Sequence, residues 1–491
     1  MNQQNYDVVI IGAGIVGSMV ARELSKYELS VAVLEKEADI GMGQSTSNSA
    51  IIHSGHDPEP GTMKAKMNVR GNELWNQIAP ELEIPIDHTG ALIVAVGAEE
   101  QAGLHPLLEQ GQKNGVKGLE ILSREQVLEM EPHLSPEVTG ALSTPTAGVV
   151  DAFQGVLGAA ENAAANGVKF ILDAEVRGAV VEDGTLKAVE TSQGTFTASW
   201  FINAAGVHSD EILHMVGDHP EFEITARRGE YFVFDESVFR LNNVLFPMPS
   251  KKGKGILVTT TTHGNTMIGP NSDTIGNKED HSVTEEGMHE ILEGAKRLVP
   301  MVSPRGVIAT FAGLRATGNY KPDGHGKDFL IEVSKAVKGL INLAGVESPG
   351  YASAPAIGEY VGELLRGEGV QLTEKTDWNP KRHRIPRFKE MNHEQRAEMV
   401  KANPAYGRIV CRCEEVTEGE ILDAIHSPIP AKTYDAIKRR TWLGTGRCQG
   451  SFDYPRTMEI LARELGMSMT EITKKGTVSV PRCGQTKEEV V

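Results

Sequence analysis

Four apolar residues, Val8-Val9-Ile10-Ile11, follow a polar start and stop at a glycine. A run that is short and apolar on both faces predicts a buried parallel strand. The turn Gly12-Ala13-Gly14-Ile15-Val16-Gly17 comes next, then a helical pattern from Ser18 to Ser25 and a second strand from Leu29 to Leu34, ended by Glu35. One strand–helix–strand unit therefore opens the chain. Residues 50 to 70, rich in Gly, Pro and His, predict a functional loop. From about 70 to 145 helical and strand signals alternate, with turns expected at His105-Pro106 and Glu131-Pro132. Val149 to Gly167 reads as helix, Val168 to Val176 as strand, and Trp200-Phe201-Ile202 leads into Asn203-Ala204-Ala205-Gly206. Between 220 and 310, segments such as Tyr231 to Phe234 and Gly255 to Thr259 predict a separate sheet layer. Leu340 to Gly345 is again strand-like, and Ala354 to Leu365 is helical.

At 491 residues, the chain has room for about three domains of roughly 150 residues each. A net charge of -17 argues against a general nucleic-acid binder, because phosphate backbones demand cationic surfaces. No apolar run approaches the roughly 20 residues that span a bilayer, and the polar stretch Met1 to Asp7 lacks the features of a signal peptide. The chain is expected to be cytoplasmic. Lys381, Arg382, Arg384, Arg387 and Lys389 stand close together and read as a solvated connector. An acidic partner or a cofactor phosphate is the alternative. The four cysteines all lie late, at Cys411, Cys413, Cys448 and Cys483. Clustered thiols in a large cytosolic chain predict a metal or redox module over a disulfide framework. Four unrelated buried thiols are the bland alternative.

Gly12, Gly14 and Gly17 occupy the first strand–helix junction, and Glu35 ends the next strand, as in a dinucleotide-binding fingerprint. The first glycine permits the tight turn, the second admits a pyrophosphate, and the third lets helix approach strand. The helix start offers N–H groups and a positive dipole end to phosphate, while Glu35 can accept from ribose hydroxyls. FAD and NAD share this fingerprint, so it does not choose between them.

The rest of the chain does choose. Ser47-Asn48-Ser49-Ala50-Ile51-Ile52-His53-Ser54-Gly55, Asn203 to Gly206, Gly313-Leu314-Arg315 and Gly345-Val346-Glu347-Ser348-Pro349-Gly350 resemble the D-amino-acid-oxidase-like flavoproteins. Within that superfamily they resemble the FAD-dependent glycerol-3-phosphate dehydrogenases and oxidases. The resemblance implies an α/β fold: a Rossmann-like FAD-binding domain from residues 1–90, 145–215 and 311–370, and a β-rich substrate domain from 91–144 and 216–310. It also implies that Glu35 binds the adenosine ribose, that Val176 contacts adenine, and that Ala205 and Gly206 lie where the chain crosses the cofactor. Ser45, Thr46, Ser47, Asn48 and Ser49 would line the flavin ring, with further cofactor contacts at Gly313 and Gly345. Gly350, Tyr351, Ala352 and Ser353 would place a helix start near the flavin's pyrimidine edge, where N–H dipoles stabilise the charge of reduced flavin.

Oxidising an alcohol with flavin requires a base for the hydroxyl proton. His53, just after the flavin-lining segment, is the candidate, with His56 as competitor and a histidine merely satisfied in a loop as the alternative. Arg315 matches the arginine this family uses to hold an anionic substrate, and a planar guanidinium suits phosphate or carboxylate. Lys254 is a second candidate cation and Ser348 a candidate donor. Glycerol 3-phosphate and L-2-hydroxyglutarate both fit such a site. The run from Phe246 to Pro270 favours glycerol 3-phosphate, with dihydroxyacetone phosphate as product. A non-catalytic FAD electron-transfer subunit is the reading from a different class.

Ile409-Val410-Cys411-Arg412-Cys413 and Gly444-Thr445-Gly446-Arg447-Cys448-Gln449-Gly450 resemble the small helical [2Fe–2S] domain of bacterioferritin-associated ferredoxins, over residues 405–470. Residues 371–404 would link it, and 471–491 would form a tail. Four thiolates suit a two-iron cluster. The family's fourth cysteine is replaced by Asp453. Three readings stand open: Asp453 ligates iron, Cys483 swings in from the tail, or the cluster is lost. With the cluster present, electrons would pass to a partner protein, through which peripheral membrane association is also possible. Without it, oxygen becomes the acceptor.

Overall fold

A computed structural model describes residues 3–249, 255–322, 326–476 and 479. Strand β1 (Gln3–Ile11) has its Val8, Val9 and Ile10 side chains fully buried, as an apolar run flanked on both sides requires. Its end at Gly12 has φ of +105°, and a Cβ there would sit 2.5 Å from the Ala204 carbonyl oxygen, so only glycine fits. Helix α1 (Ile15–Leu24) follows, and a Cβ on Gly17 would lie 2.0 Å from the Gly12 carbonyl oxygen. The third glycine therefore sets how closely helix meets strand. Strand β2 (Val31–Leu34) runs parallel to β1. Helix α2 (Met63–Glu81) is capped by Thr62, and helix α3 (Ala152–Ala165) by Asp151, each accepting a first-turn N–H. Strand β3 (Gly194–Asn203) pairs in parallel with the other side of β1.

The chain then leaves for the second layer. Strands β4 (Ile224–Phe234) and β5 (Val307–Gly318) form a long antiparallel ladder there. Strand β6 (Leu340–Ala344) returns to pair with β3, and helix α4 (Gly350–Gly367) packs against α1 and α2. The first sheet has eight strands, ordered 176–182, 185–191, β3, β1, β2 and 169–171, with β6 and Leu330–Val333 continuing beyond β3. The second has nine, ordered Asp273–Ile275, β4, Thr266–Gly269, Leu257–Thr260, Val244–Pro247, Ala91–Val96, Val138–Thr144 and Glu120–Ser123, with β5 beside β4. Because β5 pairs with β4 over nearly its whole length, residues 311–318 lie in the second sheet, not with the first-sheet segments expected from 311 onward.

Two further expectations change. No turn occurs at His105-Pro106, since Pro106 lies inside the helix Ala98–Lys113. Burial of Leu104, with Leu107 and Leu108 against the same core, outweighs the single hydrogen bond that proline removes. The basic stretch after 380 is not a solvated connector. Arg382 is buried, its Nε donating to Glu161 at 2.8 Å and its Nη1 to Gln154 at 3.0 Å, both on α3. Its partners lie over 200 residues away in sequence, beyond the reach of any local charge pattern.

The C-terminal module has its own core of Val416, Ile421, Ile437 and Leu461, built around helices α5 (Tyr434–Thr441) and α6 (Tyr454–Leu465). Ile472 from the start of the tail joins that core. The module docks through Arg439 and Arg440 of α5, which clasp the buried Asp39 at 2.7 and 2.9 Å.

Candidate active site and three-cysteine site

A cavity of about 1070 Å³ starts at the C-terminal ends of β1 and β2 and reaches the face of β4 and β5. At its first end, Glu35 accepts from the Ala13 N–H at 2.8 Å and the Glu37 N–H at 3.0 Å. Burial pushes its carboxyl up to about 7, against the pull of those two N–H groups. Gly12, Gly14, Val176, Ala205 and Gly206 line the same end. Helix α1 begins there with Gly14 as N-cap, and Gly14, Ile15 and Val16 line the cavity, so the positive end of the helix faces it.

Ser45, Ser47, Asn48 and Ser49 form one wall of the middle, and Gly313, Gly350 and Tyr351 contribute to the others. Ser45 Oγ accepts from the Ile15 N–H at 2.8 Å, tying this wall to α1. A Cβ on Gly313 would stand 1.8 Å from the Ser47 carbonyl oxygen, so β5 approaches this segment only through glycine. Among the described residues, Gly17, Thr46, Gly345, Ala352 and Ser353 stand outside the cavity lining. Thr46 Oγ1 donates to the Gly41 carbonyl, Gly345 turns the chain with φ of +66°, Ala352 packs against Gly71, and Ser353 Oγ donates to the Pro349 carbonyl.

At the far end His53 lines the cavity, its ring 5.7 Å from Phe246. Its carbonyl accepts from Asn68 at 2.8 Å and Asn72 at 3.1 Å, both on α2, which fixes the backbone under the imidazole. The competitor His56 is buried, with its Nδ1 2.9 Å from Ser54 Oγ, and does not line the cavity. Arg315 and Ser348 do line it. Arg315 Nη2 donates to the Asn271 carbonyl at 2.9 Å, whereas Nη1 is buried with no partner among the described residues. Burial first, and then the neighbouring Arg227, hold its pKa below the usual guanidinium range. Lys254 lies outside the described residues, as does Cys483.

In the C-terminal module the sulfurs of Cys411, Cys413 and Cys448 all lie within 4.8 Å of one another, with no disulfide among them. Cys413 Sγ is 3.1 Å from Cys448 Sγ and 3.8 Å from Cys411 Sγ. Asp453 begins α6, fully buried. Its Oδ1 accepts from the Tyr434 hydroxyl at 2.6 Å, while Oδ2 is buried with no hydrogen-bond partner among the described residues. The three converging thiols fit a thiolate-bound metal cluster; the carboxylate of Asp453 is not among the ligand atoms that converge there. A long cavity with a buried carboxylate and a helix start at one end, and at the other a guanidinium with one nitrogen unpartnered among the described residues, fits a flavin dinucleotide with an anionic substrate beside it.

The family model for FAD dependent oxidoreductases matches residues 7–364. The chain belongs to this family. The model for the BFD-like [2Fe-2S] binding domain matches residues 409–463. The oxidoreductase is 44% identical over 486 residues to the glycerol 3-phosphate dehydrogenase of Caloramator mitchellensis, covering 99% of this chain and 100% of that protein. It is 32% identical to the glycerol 3-phosphate oxidase of Mycoplasma genitalium, covering 77% of this chain and 98% of that one. The FAD-bound L-alpha-glycerophosphate oxidase of Mycoplasma pneumoniae superposes with a TM-score of 0.72 at 31% identity, over 77% of this chain and 98% of that one. The cofactors of this oxidoreductase are FAD and a [2Fe–2S] cluster. No helix among the described residues is long and apolar enough to cross a membrane.

Among the cavity residues that the sequence reading did not single out are Lys64, Arg227, Tyr231 and Glu347. Arg227 faces Arg315 across the ladder, and Tyr231 stacks on Phe311 at 4.6 Å with its hydroxyl 3.4 Å from Ser49 Oγ. Glu347 is nearly buried between Lys64 at 3.0 Å and Arg227 at 3.4 Å. The available signal was the alternation Arg227, Gly229, Tyr231, which places all three on one face of a strand.

Proposed function

We propose that this oxidoreductase converts sn-glycerol 3-phosphate to dihydroxyacetone phosphate. The observation that carries the reading is the pair Arg227 and Arg315, two guanidiniums on one cavity wall, with the buried Nη1 of Arg315 and Nε of Arg227 unpartnered among the described residues. Adjacent cations repel, and of the two Glu347 reaches only Arg227; a phosphate between them would accept from two planar forks at once. The full-length likeness to a glycerol 3-phosphate dehydrogenase supports the same substrate.

In this reading Arg227 and Arg315 hold the phosphate and orient the carbinol toward the middle of the cavity, with Ser348 as an additional donor. His53 removes the hydroxyl proton. Bound FAD supplies the acceptor for the hydride that leaves the carbinol carbon. The N–H groups at the start of α4 offset negative charge arising at the middle of the cavity. Cys411, Cys413, Cys448 and Asp453 hold the cluster, Asp453 through the oxygen the protein leaves unsatisfied. A one-electron carrier protein in the cytoplasm takes the electrons away, and the first-sheet segments with α1 to α4 act as the FAD domain against a second-sheet substrate domain.

Anaerobic addition of single compounds to the FAD-loaded protein tests the reading. Glycerol 3-phosphate is expected to bleach the flavin. Bleaching by L-2-hydroxyglutarate alone would replace the substrate, and bleaching only by a reduced partner protein would make the chain an electron carrier with no substrate of its own.

A further inference from the structure

We propose that Trp442, bridged to Asp151, is the residue that couples the flavin cavity electronically to the three-cysteine site. The inference rests on the reading that electrons pass from flavin to cluster, and it names the residues they cross.

The route begins at Tyr351, which lines the cavity and whose hydroxyl donates to the Ala152 carbonyl at 2.9 Å. Ala152 is bonded to Asp151, the N-cap of α3, whose Oδ1 accepts from the Gln154 N–H at 3.0 Å. Its other oxygen, Oδ2, accepts from the indole N–H of Trp442 at 3.1 Å. Two residues further on, the Gly444 N–H donates to Cys411 Sγ at 3.5 Å. From cavity wall to ligand sulfur, every link is therefore a covalent bond or a hydrogen bond. Electronic coupling decays far more steeply across a van der Waals gap than along such a line.

Trp442 occupies its place at a cost. It ends α5 with φ of +63°, a left-handed conformation usually given to glycine or asparagine and strained for a bulky residue. That conformation sends the indole between Phe153, 5.1 Å away edge-on, and His263, 3.8 Å away. Docking itself is secured elsewhere, by Arg439 and Arg440 on Asp39 and by Arg447 on Asp235. The bridge and the dock can thus be altered separately.

Each crossing removes one electron from the two-electron-reduced flavin and turns one ferric ion of the cluster ferrous; the single hydrogen that arrived as hydride leaves to solvent as a proton once both electrons have gone. The second crossing requires an oxidised one-electron carrier protein to have emptied the cluster.

The test follows anaerobic holoenzyme after mixing with glycerol 3-phosphate, reading flavin bleaching optically and the reduced cluster by freeze-quench EPR. Trp442→Phe keeps a ring against Phe153 and removes the bridge, whereas Phe153→Leu removes that ring contact and keeps the bridge. Expected are wild-type bleaching in both, cluster reduction slowed roughly tenfold in Trp442→Phe, and wild-type cluster reduction in Phe153→Leu. An undiminished rate in Trp442→Phe, or equal slowing in both variants, overturns the route. If Trp442→Phe does not retain both cofactors, Asp151→Ser, which keeps a capping oxygen for α3 while withdrawing the acceptor from Trp442, is read the same way. If glycerol 3-phosphate fails to bleach the flavin, the substrate assignment fails alone. The route is then tested with flavin reduced by light and EDTA.

Discussion

Arg227 and Arg315 stand directly opposite one another across the β4–β5 ladder, and both reach the same cavity wall. Like charges in this position repel, and the lowered pKa of Arg315 registers burial and that repulsion together. A Cβ on Gly229, between Arg227 and Tyr231, would lie 2.6 Å from Arg315 Nη2, so the strand leaves space for the guanidinium by having no side chain there. Losing a charge-assisted contact of about 1.5–3 kcal/mol, Arg315→Ala should raise KM for glycerol 3-phosphate by about 10- to 100-fold with FAD content unchanged. Arg227→Ala should have a smaller effect, because Glu347 already offsets part of its charge. Steady-state kinetics beside the flavin absorbance of purified protein checks both.

His53 and His56 separate cleanly. His53→Ala should slow anaerobic flavin bleaching by about 10²- to 10⁴-fold, the usual contribution of a positioned base. His56→Ala should leave the bleaching rate near wild type, since His56 packs outside the cavity. Stopped-flow traces with saturating substrate distinguish them, and a normal rate in His53→Ala removes it as the base.

Glu35 makes the flavin-free protein sensitive to pH. Its folded carboxyl sits up at about 7, against an ordinary value of 4.5. Between those values the folded state holds a proton that the unfolded chain has released. Stability of the apoprotein should therefore fall as pH rises through this window, by on the order of 3 kcal/mol. If the ribose hydroxyls of FAD donate to the ionised form, FAD affinity should strengthen as pH rises from about 6 to 8. Glu35→Gln should flatten both trends, as urea melts and FAD titrations across pH will show.

In the proposed reading Asp453, buried at the start of α6, is the fourth ligand of the cluster. Asp453→Ala should lower iron and sulfide in anaerobically purified protein, with FAD retained. Asp453→Cys should keep the iron and alter the visible and EPR spectra, because thiolate replaces carboxylate. Full iron with an unchanged spectrum in Asp453→Ala would exclude the aspartate as a ligand.

The dock has its own signature. Asp39→Ala leaves Arg440, with its side chain 1% exposed, buried without its carboxylate. Removing one partner of a buried pair costs about 3–5 kcal/mol, so denaturant melts should show a lower midpoint, with limited proteolysis releasing the C-terminal module.

Much of the first sheet was readable because its signals are local. An apolar run ending at Gly12, a glycine at each of two further close approaches, and a carboxylate at the end of the next strand all fall within one short stretch. The cysteine spacing was local in the same sense, but it left the fourth ligand open among Asp453, Cys483 and none. His53 and Arg315 were reached through resemblance to a family, and the cavity contains them both. The buried strut at Arg382, the helix running through Pro106 and the placement of 311–318 were not readable. Each depends on a partner far away in the chain.

By itself the sequence determined the glycine turn, the carboxylate that follows β2 and the thiol cluster, since chain geometry allows each only a narrow set of residues at fixed spacing. Only the tertiary structure decided that Arg227 joins Arg315, that Glu347 bridges Lys64 and Arg227, and that Trp442 meets Asp151. Those pairings arise when strands and helices widely separated in sequence pack together, and burial then turns ordinary side chains into a charged pocket and a bridge.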